Sequence, residues 1–375
     1  MIPLNHRLDS LQRSGIRRYT NLAKEVPGCV MLTIGEPDFD TPEPIKAAAC
    51  RALAENQTHY APNQGTARLR QAIAEYETHR GMTCDAEQVL VTVGATGALY
   101  TALTGIVNPG QEVIIPTPAF SLYETIVTAA GGVAVALDIA ASDFQIDSAA
   151  LAEKITPNTK AIVLNSPNNP TGTVLSEQSL ATVKELTAGR DIYIICDNVY
   201  NQLTYGACPD LSTDASLHDR LLLCQSFSKP YAMTGWRVGY LIGPQVVMDR
   251  LLLLHAAQVA AVPTFVQEAC ITALQTDVTP MREEYQARRQ LCMERLREMG
   301  LVFPEPEGAF YIFVDIRPFG LDSETFCTRL IREAGVAMVP GVCFGAEGFV
   351  RLSYCCSRER LELGLQRLEA FLKQL

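Results

Sequence analysis

Cysteine motifs for metal binding or thiol exchange are missing from this sequence. The chain has 12 cysteines but no CxxC pair, and none lies at zinc-ligand spacing from histidine. Most stand in apolar surroundings, as Cys196, Cys224 and Cys270 do, which predicts reduced core thiols in a reducing compartment. Adjacent Cys355 and Cys356 could be redox-active, but neighbours on a strand point to opposite faces. We therefore expect no metal centre.

Blocks of basic residues are missing as well. The 31 lysines and arginines are scattered, and the net charge is −10 with a pI of about 5.1, which argues against a nucleic-acid-binding face. Residues 1–21 carry charged and polar side chains where an export signal needs an unbroken apolar run. Residues 89–107 form the longest uncharged stretch, but its glycines and threonines favour a buried strand and helix over a membrane span. The sequence thus predicts a soluble cytoplasmic enzyme.

No repeat, linker or low-complexity segment divides the 375 residues, a length at which one large and one smaller domain are expected. Short apolar runs, most of them separated by helical segments, are typical of strands buried on both faces of a mainly parallel sheet. Seven runs are predicted strands: residues 89–93, 113–116, 133–137, 161–164, 192–196, 221–224 and 238–242. A helix capped by Thr66 and ended by Gly81 precedes them.

The pattern changes after Pro244. Two long helical patterns run from there to about Gly300. The elements predicted beyond them, which indicate an α+β domain, are strands at 310–314 and 349–353 and helices at 323–334 and 358–375. The expected division is an N-terminal segment 1–40 that folds back across the site as part of the small domain, a large domain 41–285, and the C-terminal part of the small domain 286–375.

The residues that follow the strands are candidates for function, because ligands of such sheets bind at the carboxyl ends of the strands. Segment 94–97 follows one strand and opens a helix, where free N–H groups suit a phosphate, although it could be only a structural turn. The Asn/Pro/Gly-rich segment 165–172 follows another strand and could equally be only a turn. Asp197 ends a third run with Tyr200 three residues later, and is either a local cap or a catalytic group.

Lys229 follows a fourth run, in Ser226-Phe227-Ser228-Lys229. A lysine at the mouth of such a cleft is either solvated or a Schiff-base nucleophile. Arg237 lies close enough in sequence to reach the same anion as Ser226 and Ser228, and its planar fork of donors matches a phosphate better than a lysine would. Each residue alone is a weak sign, so the group has to be judged together.

Judged together, the motifs carry a resemblance. The chain contains Ser-x-Ser-Lys at 226–229 and Gly-Trp-Arg-x-Gly-Tyr at 235–240, preceded by Asn-Pro-Thr-Gly at 169–172 and Asp-x-x-Tyr at 197–200. In this order they resemble the class I and II aminotransferases of pyridoxal-phosphate fold type I. The resemblance covers essentially the whole chain, since segments 34–39 and 351–353 also fall where the family has them. It implies an α/β fold with a mainly parallel seven-stranded sheet flanked by helices and a smaller α+β domain.

The resemblance implies pyridoxal 5′-phosphate as the cofactor and assigns residues to it. Lys229 would carry the cofactor as a Schiff base and shuttle the proton of the reaction. Asp197 would pair with the pyridine nitrogen and keep it protonated. Asn169 and Tyr200 would hydrogen-bond the ring oxygen O3′, and Phe120 would stack on the ring unless it is plain core.

A phosphate site, a second subunit and a carboxylate site are implied in the same way. The groups assigned to the phosphate are the backbone of Ala95 and Thr96 and the side chains of Ser226, Ser228, Arg237 and Tyr60. Tyr60 would come from a partner subunit, which implies a homodimer with shared sites, unless it is an ordinary half-buried tyrosine. Arg351 would bind the substrate carboxylate bidentately, helped by Asn169 and the backbone at Gly35, unless it is solvated at a sheet edge.

Two departures from the family pattern limit what the resemblance implies. Asn198 follows Asp197 where the family commonly has glutamate, with no expected loss of chemistry. Residues 255–263 contain no arginine of the kind that binds the distal carboxylate in the best-known aspartate aminotransferases, so dedicated dicarboxylate specificity is not implied. Arg17 or Arg18 could contact an acidic substrate side chain instead. The overall pattern is closest to bacterial N-acetyl-diaminopimelate and aspartate/aromatic aminotransferases.

The expected reaction is a ping-pong transamination, in which an L-amino acid donates its nitrogen and a 2-oxo acid such as 2-oxoglutarate takes it up. A C–S β-lyase resembling cystathionine β-lyase would use the same cofactor residues, which therefore do not separate the two. A non-catalytic cofactor-binding sensor is disfavoured, because such proteins carry an N-terminal DNA-binding domain and here the large domain is expected to begin at residue 41. The identity of the donor and acceptor depends on a few loop residues that the sequence does not identify.

Overall fold

A computed structural model describes residues 5–9, 11 and 15–375 of the chain. The helices, numbered in chain order, are α1 (Gly15–Lys24), α2 (Glu43–Ala54), α3 (Ala67–His79), α4 (Gly94–Ile106), α5 (Leu122–Ala130), α6 (Ser148–Lys154), α7 (Glu177–Thr187), α8 (Gln245–Val259), α9 (Thr264–Leu274), α10 (Thr279–Glu298), α11 (Ser323–Arg329) and α12 (Arg358–Leu372). The strands are β1 (Val30–Met31), β2 (Val89–Thr92), β3 (Glu112–Thr117), β4 (Val133–Asp138), β5 (Thr159–Asn165), β6 (Tyr193–Asp197), β7 (Leu221–Ser226), β8 (Gly239–Ile242), β9 (Tyr311–Asp315), β10 (Val336–Ala337), β11 (Val339–Pro340) and β12 (Phe349–Ser353).

A seven-stranded sheet forms the centre of the larger part of the molecule. Its strand order is β2-β8-β7-β6-β5-β3-β4; β8 runs antiparallel to both neighbours, and the other pairs are parallel. Successive residues of β3 lie in different hydrophobic clusters, Ile114 with α3, α7 and α9 and Ile115 with α4, α5 and α8. Helices therefore cover both faces, which is why the strands are near-continuous apolar runs. The predicted mainly parallel sheet is confirmed, with all seven strands predicted for it.

Helix boundaries agree with the sequence at α3 and differ after β8. Thr66 caps α3 by accepting from the Leu69 amide at 3.4 Å, and Gly81 follows the helix with a positive φ. The expectation of two long helices between Pro244 and Gly300 is wrong, because three helices, α8, α9 and α10, occupy that stretch. Ala260 adopts a φ of +56° and Pro263 disfavours helix in the residue before it, so the chain breaks between α8 and α9.

A second, antiparallel sheet packs most of its apolar residues in a separate hydrophobic cluster with α1, α10, α11 and α12, whereas its Phe313, Val339 and Phe349 pack in a cluster of the large sheet. Its strand order is β11-β12-β9. The N-terminal segment joins this part, since β1 pairs in parallel with β10 and the amide of Ser353 donates to the carbonyl of Leu32 at 2.9 Å. The helix predicted at 323–334 is α11 continued by a π-helical turn, Leu330–Ala334. The division into segments 1–40, 41–285 and 286–375 stays a prediction.

The uncharged stretch 89–107 forms β2 and α4, as predicted. Within the ranges that the structure describes, no helix has the length and apolar character needed to cross a membrane. All 12 cysteines are unpaired and most are buried, as expected for core thiols.

Candidate active site

The candidate site lies at one edge of the seven-stranded sheet. Strands β2, β5, β6 and β7 end at this edge because they run in the same direction, and β8 begins there because it runs the opposite way. The register pairs both Thr92 and Ser226 with Gly239, the first residue of β8. The segments after Thr92, Asn165, Asp197 and Ser226 and the segment before Gly239 are therefore neighbours.

Lys229 follows β7 and reaches the N-terminal segment. Its Nζ donates to the carbonyl oxygen of Gly35 at 2.6 Å and lies 5.9 Å from the ring centroid of Phe310. Burial lowers the pKa of the Lys229 amine from 10.5 to about 8. With that pKa roughly a tenth of the amine is neutral at pH 7, far more than for an ordinary lysine. Only the neutral amine is a nucleophile, so the surroundings of Lys229 favour covalent chemistry.

Asp197 ends β6 with its carboxylate held by a tyrosine that the sequence motifs do not include. It is 4% exposed, and its Oδ2 accepts a hydrogen bond from the hydroxyl of Tyr123 at 2.6 Å. Burial raises the pKa of the Asp197 carboxyl from 3.8 to about 6, while the hydrogen bonds from Tyr123 and the Val199 amide and the charge of Lys229 lower it. A buried carboxylate with a single hydroxyl donor is suited to pair with a cationic ring nitrogen.

Asn169 is positioned by its neighbour in the same loop. The side chain of Asn165 donates to the carbonyl oxygen of Asp197 at 2.9 Å and accepts from the Asn169 amide at 2.9 Å. The loop after β5 is thereby joined to the end of β6. Asn169 in turn accepts from the guanidinium of Arg351 at 2.7 Å. The tight turn at 165–172 thus brings one of the predicted site residues into contact with another.

Arg237 lies over the first turn of α4. A Cβ added at Gly94 would come within 2.6 Å of a terminal nitrogen of the Arg237 guanidinium. A Cβ added at Gly239 would lie 2.7 Å from the amide nitrogen of Ala95, so this approach to the backbone requires glycine, and the φ of +68° at Gly94 favours glycine there. Arg237 is exposed, and one terminal nitrogen donates to the carbonyl of Thr234 at 2.9 Å. A guanidinium beside the positive end of a helix forms a site suited to a phosphate.

Two serines complete the predicted phosphate region. The hydroxyl oxygen of Ser226 accepts from the amide of Ser228 at 3.0 Å, and both side chains are buried. The amide of Ser226 donates to the side chain of Gln225 at 3.0 Å. Thr96 lies in the first turn of α4 and is exposed. The structure therefore brings the residues of this chain that are predicted to bind the phosphate to one region. Their role stays a prediction.

Arg351 is a buried cation without an anionic partner. Its side chain is 2% exposed, and its two terminal nitrogens donate to Asn169 at 2.7 Å and to the carbonyl of Thr33 at 2.6 Å. The guanidinium lies 4.4 Å from the ring centroid of Tyr311 and 4.9 Å from that of Phe344. Its Nε has no hydrogen-bond partner, and within residues 5–9, 11 and 15–375 no carboxylate forms an ion pair with it. The alternative of a solvated arginine at a sheet edge is wrong.

Tyr200 and Tyr311 form a buried hydroxyl pair beside Arg351. The two hydroxyl oxygens are 2.9 Å apart, and either could be the donor. A Cβ added at Gly35 would lie 2.0 Å from the Tyr311 hydroxyl, so the backbone of Gly35 packs directly against it. Burial raises the pKa of both phenols, that of Tyr311 to about 12, so both stay protonated at neutral pH.

The remaining predicted residues have varied surroundings. Phe120 is half-buried and packs edge-to-face on Tyr123 with ring centroids 6.2 Å apart, which leaves its stacking role a prediction. Tyr60 is 94% exposed, so it is not a half-buried tyrosine in the isolated chain. Arg18 forms an ion pair with Glu324 at 2.9 Å, and Arg17 is exposed. Contact of either arginine with a substrate stays a prediction.

Sequence reasoning missed three residues of this region, Tyr123, Tyr311 and Phe344. Tyr123 is three residues after Phe120, a spacing that places both on one side of a helix start, and this was the available signal. Tyr311 and Phe344 lie among apolar residues and look like ordinary core aromatics in sequence. Tyr311 contacts Arg351 across 40 positions of the chain, and Phe344 contacts it from the turn at 341–344. Both contacts arise only from the fold.

Known proteins resemble this chain over nearly its whole length. The profile of the family described as aminotransferase class I and II matches residues 27–368. A probable N-acetyl-LL-diaminopimelate aminotransferase of Bacillus subtilis is 40% identical over 98% of this chain and 95% of its own length. Aromatic-amino-acid aminotransferase 2 of Thermococcus litoralis is 38% identical over 99% of this chain and 98% of its own length. The solved structure of aspartate aminotransferase from Thermus thermophilus with maleate has a TM-score of 0.93 and 37% identity, covering 99% of this chain and 100% of that one.

Proposed function

The chain belongs to the class I and II aminotransferases, and from this premise we propose that it binds pyridoxal 5′-phosphate and transfers the amino group of an L-amino acid to 2-oxoglutarate. Transamination itself is supported by the relatives, which are aminotransferases. The resemblance to N-acetyl-diaminopimelate and aspartate/aromatic aminotransferases that the sequence predicts is confirmed by the relatives. The proposal adds the cofactor site, the acceptor and a homodimer with shared sites.

The residues at the sheet edge fit this cofactor in three ways. The first turn of α4 and the Arg237 guanidinium, which a Cβ at Gly94 would displace, suit the phosphate. The buried carboxyl of Asp197 suits a protonated ring nitrogen, whose charge would offset the burial that raises the pKa of this group. The Lys229 amine, with its lowered pKa, suits a covalent link to an aldehyde.

When bound, pyridoxal 5′-phosphate supplies an aldehyde that combines with amines and a ring that accepts electron density from the substrate Cα. The residues of this chain would bind and orient the cofactor and move the proton. Lys229 would hold the cofactor and then move the proton at the substrate Cα. Asp197 would hold a negative charge beside the ring nitrogen, Asn169 and Tyr200 would hydrogen-bond the ring oxygen, and Phe120 would cover one ring face.

The single observation that carries the substrate class is the isolated charge of Arg351. Removing a guanidinium from water without an anionic partner costs several kcal/mol, so a buried arginine of this kind is expected to meet an anion during function. A carboxylate matches the fork of a guanidinium and would pair with the charge. Amino acids and 2-oxo acids share a carboxylate next to the reacting carbon. Arg351, with Asn169 and the Gly35 backbone beside it, is therefore proposed as the carboxylate site.

A half-reaction tests the proposed chemistry. The holoenzyme is mixed with glutamate in the absence of acceptor, and conversion of the cofactor to its amine form is followed by absorbance. The amine form is expected to accumulate and then to disappear when 2-oxoglutarate is added. Release of ammonia and pyruvate from cystathionine, with no amine form of the cofactor, would instead make the protein a C–S β-lyase. A screen of amino donors and of acceptors including pyruvate and oxaloacetate would then identify the preferred pair.

Exposed apolar side chains support the homodimer. Tyr60 is 94% exposed, and the two packed helices α4 and α8 expose Tyr100, Leu253 and Val259. Several large apolar side chains on adjoining elements are typical of an interface. The molar mass in solution measures the assembly, and a dimer is expected.

Mixed dimers test whether the site is shared. Lys229→Ala and Tyr60→Ala each impair both sites of their own homodimer. If Tyr60 serves the partner's site, a mixed dimer contains one site with both residues intact. Mixing equal amounts of the two variants under conditions that exchange subunits should then restore roughly a quarter of the wild-type activity. No restoration in demonstrated mixed dimers would mean that Tyr60 serves its own chain or neither site.

A cytoplasmic location is also part of the proposal. All 12 cysteines are unpaired, which suits a compartment that keeps thiols reduced. Measuring the protein in separated cell fractions tests this location.

A further inference from the structure

Tyr311 contacts three residues proposed for function, although no sequence motif points to it. It is the first residue of β9 and is 1% exposed. Its hydroxyl lies 2.9 Å from that of Tyr200, its ring centroid lies 4.4 Å from the guanidinium carbon of Arg351, and its hydroxyl packs against the Gly35 backbone. One side chain therefore joins the cofactor side of the site to its carboxylate side.

The hydroxyl pair of Tyr200 and Tyr311 limits how the two phenol protons can be arranged. A phenol has one proton to donate and two lone pairs to accept with. If Tyr200 donates its proton to the ring oxygen of the cofactor, it has none left for Tyr311. The hydrogen bond of 2.9 Å between the two hydroxyls then has to run from Tyr311 to Tyr200. A hydrogen bond accepted by Tyr200 makes its own O–H a stronger donor.

The ring of Tyr311 acts on a different group. The guanidinium of Arg351 lies over this ring and over that of Phe344, at 4.4 Å and 4.9 Å from the two centroids. Aromatic faces attract a cation and stay in place when the substrate leaves. The ring of Tyr311 is itself held by Phe310, at a centroid distance of 4.9 Å. These contacts favour one orientation of the guanidinium while no carboxylate is bound.

We propose that Tyr311 is a positioning residue with two separate tasks: its hydroxyl directs the Tyr200 phenol to the ring oxygen of the cofactor, and its ring holds Arg351 ready for the substrate carboxylate. This inference rests on the proposed function. The two tasks belong to different parts of one side chain, so substitutions can separate them.

Two readouts report on the two tasks. The first is the pH midpoint of the absorbance change of the bound cofactor, which depends on the donor at its ring oxygen. The second is the dissociation constant of glutarate, a carboxylate that has neither an amino nor an oxo group and does not react. Neither readout requires turnover. Steady-state kcat and KM for glutamate are measured in addition.

Four variants form the test. Tyr311→Phe removes the hydroxyl and keeps the ring, Phe344→Leu removes only the other ring, and Tyr311→Leu removes both functions of Tyr311. Tyr205→Phe is the matched control, because Tyr205 and Tyr354 form another largely buried hydroxyl pair, at 3.2 Å, whose hydroxyls contact the carbonyl of Ala309.

Each variant has its own expected result. Tyr311→Phe should raise the pH midpoint by about half to one unit and lower kcat about fivefold, as expected for one neutral hydrogen bond, with glutarate binding within about twofold. Phe344→Leu should weaken glutarate about tenfold and leave the midpoint in place. Tyr311→Leu should change both readouts, and Tyr205→Phe should change neither.

An unchanged pH midpoint in Tyr311→Phe, or unchanged glutarate binding in Tyr311→Leu, would overturn the inference. The proposed function would still stand if the wild-type enzyme binds the cofactor and glutarate. A wild-type protein that binds neither the cofactor nor glutarate would refute the proposed function and this inference with it. If one Tyr311 variant does not fold, the other still decides the task that it tests.

Discussion

Replacing Asp197 with asparagine should slow catalysis and, at the same time, stabilise the protein when no cofactor is bound. Burial raises the pKa of this carboxyl from 3.8 to about 6, although the hydrogen bond from Tyr123 opposes the shift. A carboxyl with a raised pKa in the folded state binds its proton more tightly there than in the unfolded chain. Its contribution to stability is therefore full below about pH 4 and is lost as the pH rises through about 6.

The magnitude follows from the difference between the two pKa values. A difference of about 2, at about 1.36 kcal/mol for each pH unit, means that ionised Asp197 lowers the free energy of unfolding by about 3 kcal/mol. Asparagine carries no charge, and its oxygen can still accept from the Tyr123 hydroxyl, now 2.6 Å from Asp197 Oδ2. The Asp197→Asn apoprotein should therefore be more stable than wild type by about 3 kcal/mol at pH 7 and by about half of that at pH 5.

In the holoenzyme the same change removes the charge proposed to pair with the pyridine nitrogen. A loss of about 4 kcal/mol of transition-state stabilisation would lower kcat about a thousandfold. Urea unfolding of the apoprotein at pH 5 and pH 7 measures stability, and kcat with glutamate and 2-oxoglutarate measures catalysis.

Asp214→Asn is the matched control for this prediction. The hydrogen bond from Lys184 lowers the pKa of Asp214 to about 2, so this carboxylate stabilises the fold at pH 7. Its contribution to stability is lost only as the pH falls towards 2. The control variant should be less stable at pH 7 and keep its kcat. The reasoning is refuted if Asp197→Asn keeps kcat within about tenfold of wild type, or if its apoprotein is less stable than wild type at pH 7.

Four further predictions concern Lys229, Arg351 and Gly94. Lys229→Ala should abolish turnover and still retain cofactor through its phosphate, measured as cofactor bound after gel filtration; residual turnover near wild type would contradict the role of the lysine. Covalent attachment of the cofactor to the wild-type apoprotein, followed by absorbance, should become faster as the pH rises towards about 8 and level off above it, since burial lowers the pKa of the Lys229 amine to about 8; a rate that does not depend on pH would contradict this. Arg351→Lys should raise KM for glutamate about ten- to a hundredfold through loss of a charge-assisted hydrogen bond, whereas the exposed control Arg358→Lys should leave KM unchanged. Gly94→Ala should weaken cofactor binding about tenfold, because the residue has a φ of +68° and the new Cβ meets the Arg237 guanidinium; an unchanged dissociation constant would show that this contact does not matter for the cofactor.

The strands could be predicted from sequence because their burial requires runs of apolar residues that are visible in the sequence. A strand covered on both faces needs apolar side chains at nearly every position, and all seven apolar runs are strands of one sheet. The break between α8 and α9 is less visible in the sequence, since residues 245–274 are mainly apolar and only Pro263 marks the end of a helix. The third helix of that stretch was missed for this reason.

The site residues divide in the same way. Lys229 and Arg237 lie in motifs with fixed spacing, so their candidacy could be read without a structure. Tyr123 contacts Asp197 across 74 positions of the chain, and Tyr311 contacts Tyr200 across 111. A tyrosine in an apolar segment has the same local surroundings whether or not its hydroxyl meets a functional group.

The sequence by itself determined the fold class, the family and the residues that bear chemical groups, because these depend on side-chain type and local order. Only the tertiary structure decided the state of those groups. The lowered pKa of the Lys229 amine, the raised pKa of the Asp197 carboxyl and the unpaired charge of Arg351 all result from burial and from neighbours that are distant in sequence. Desolvation and electrostatic interaction depend on distances in space, and these exist only once the chain has folded.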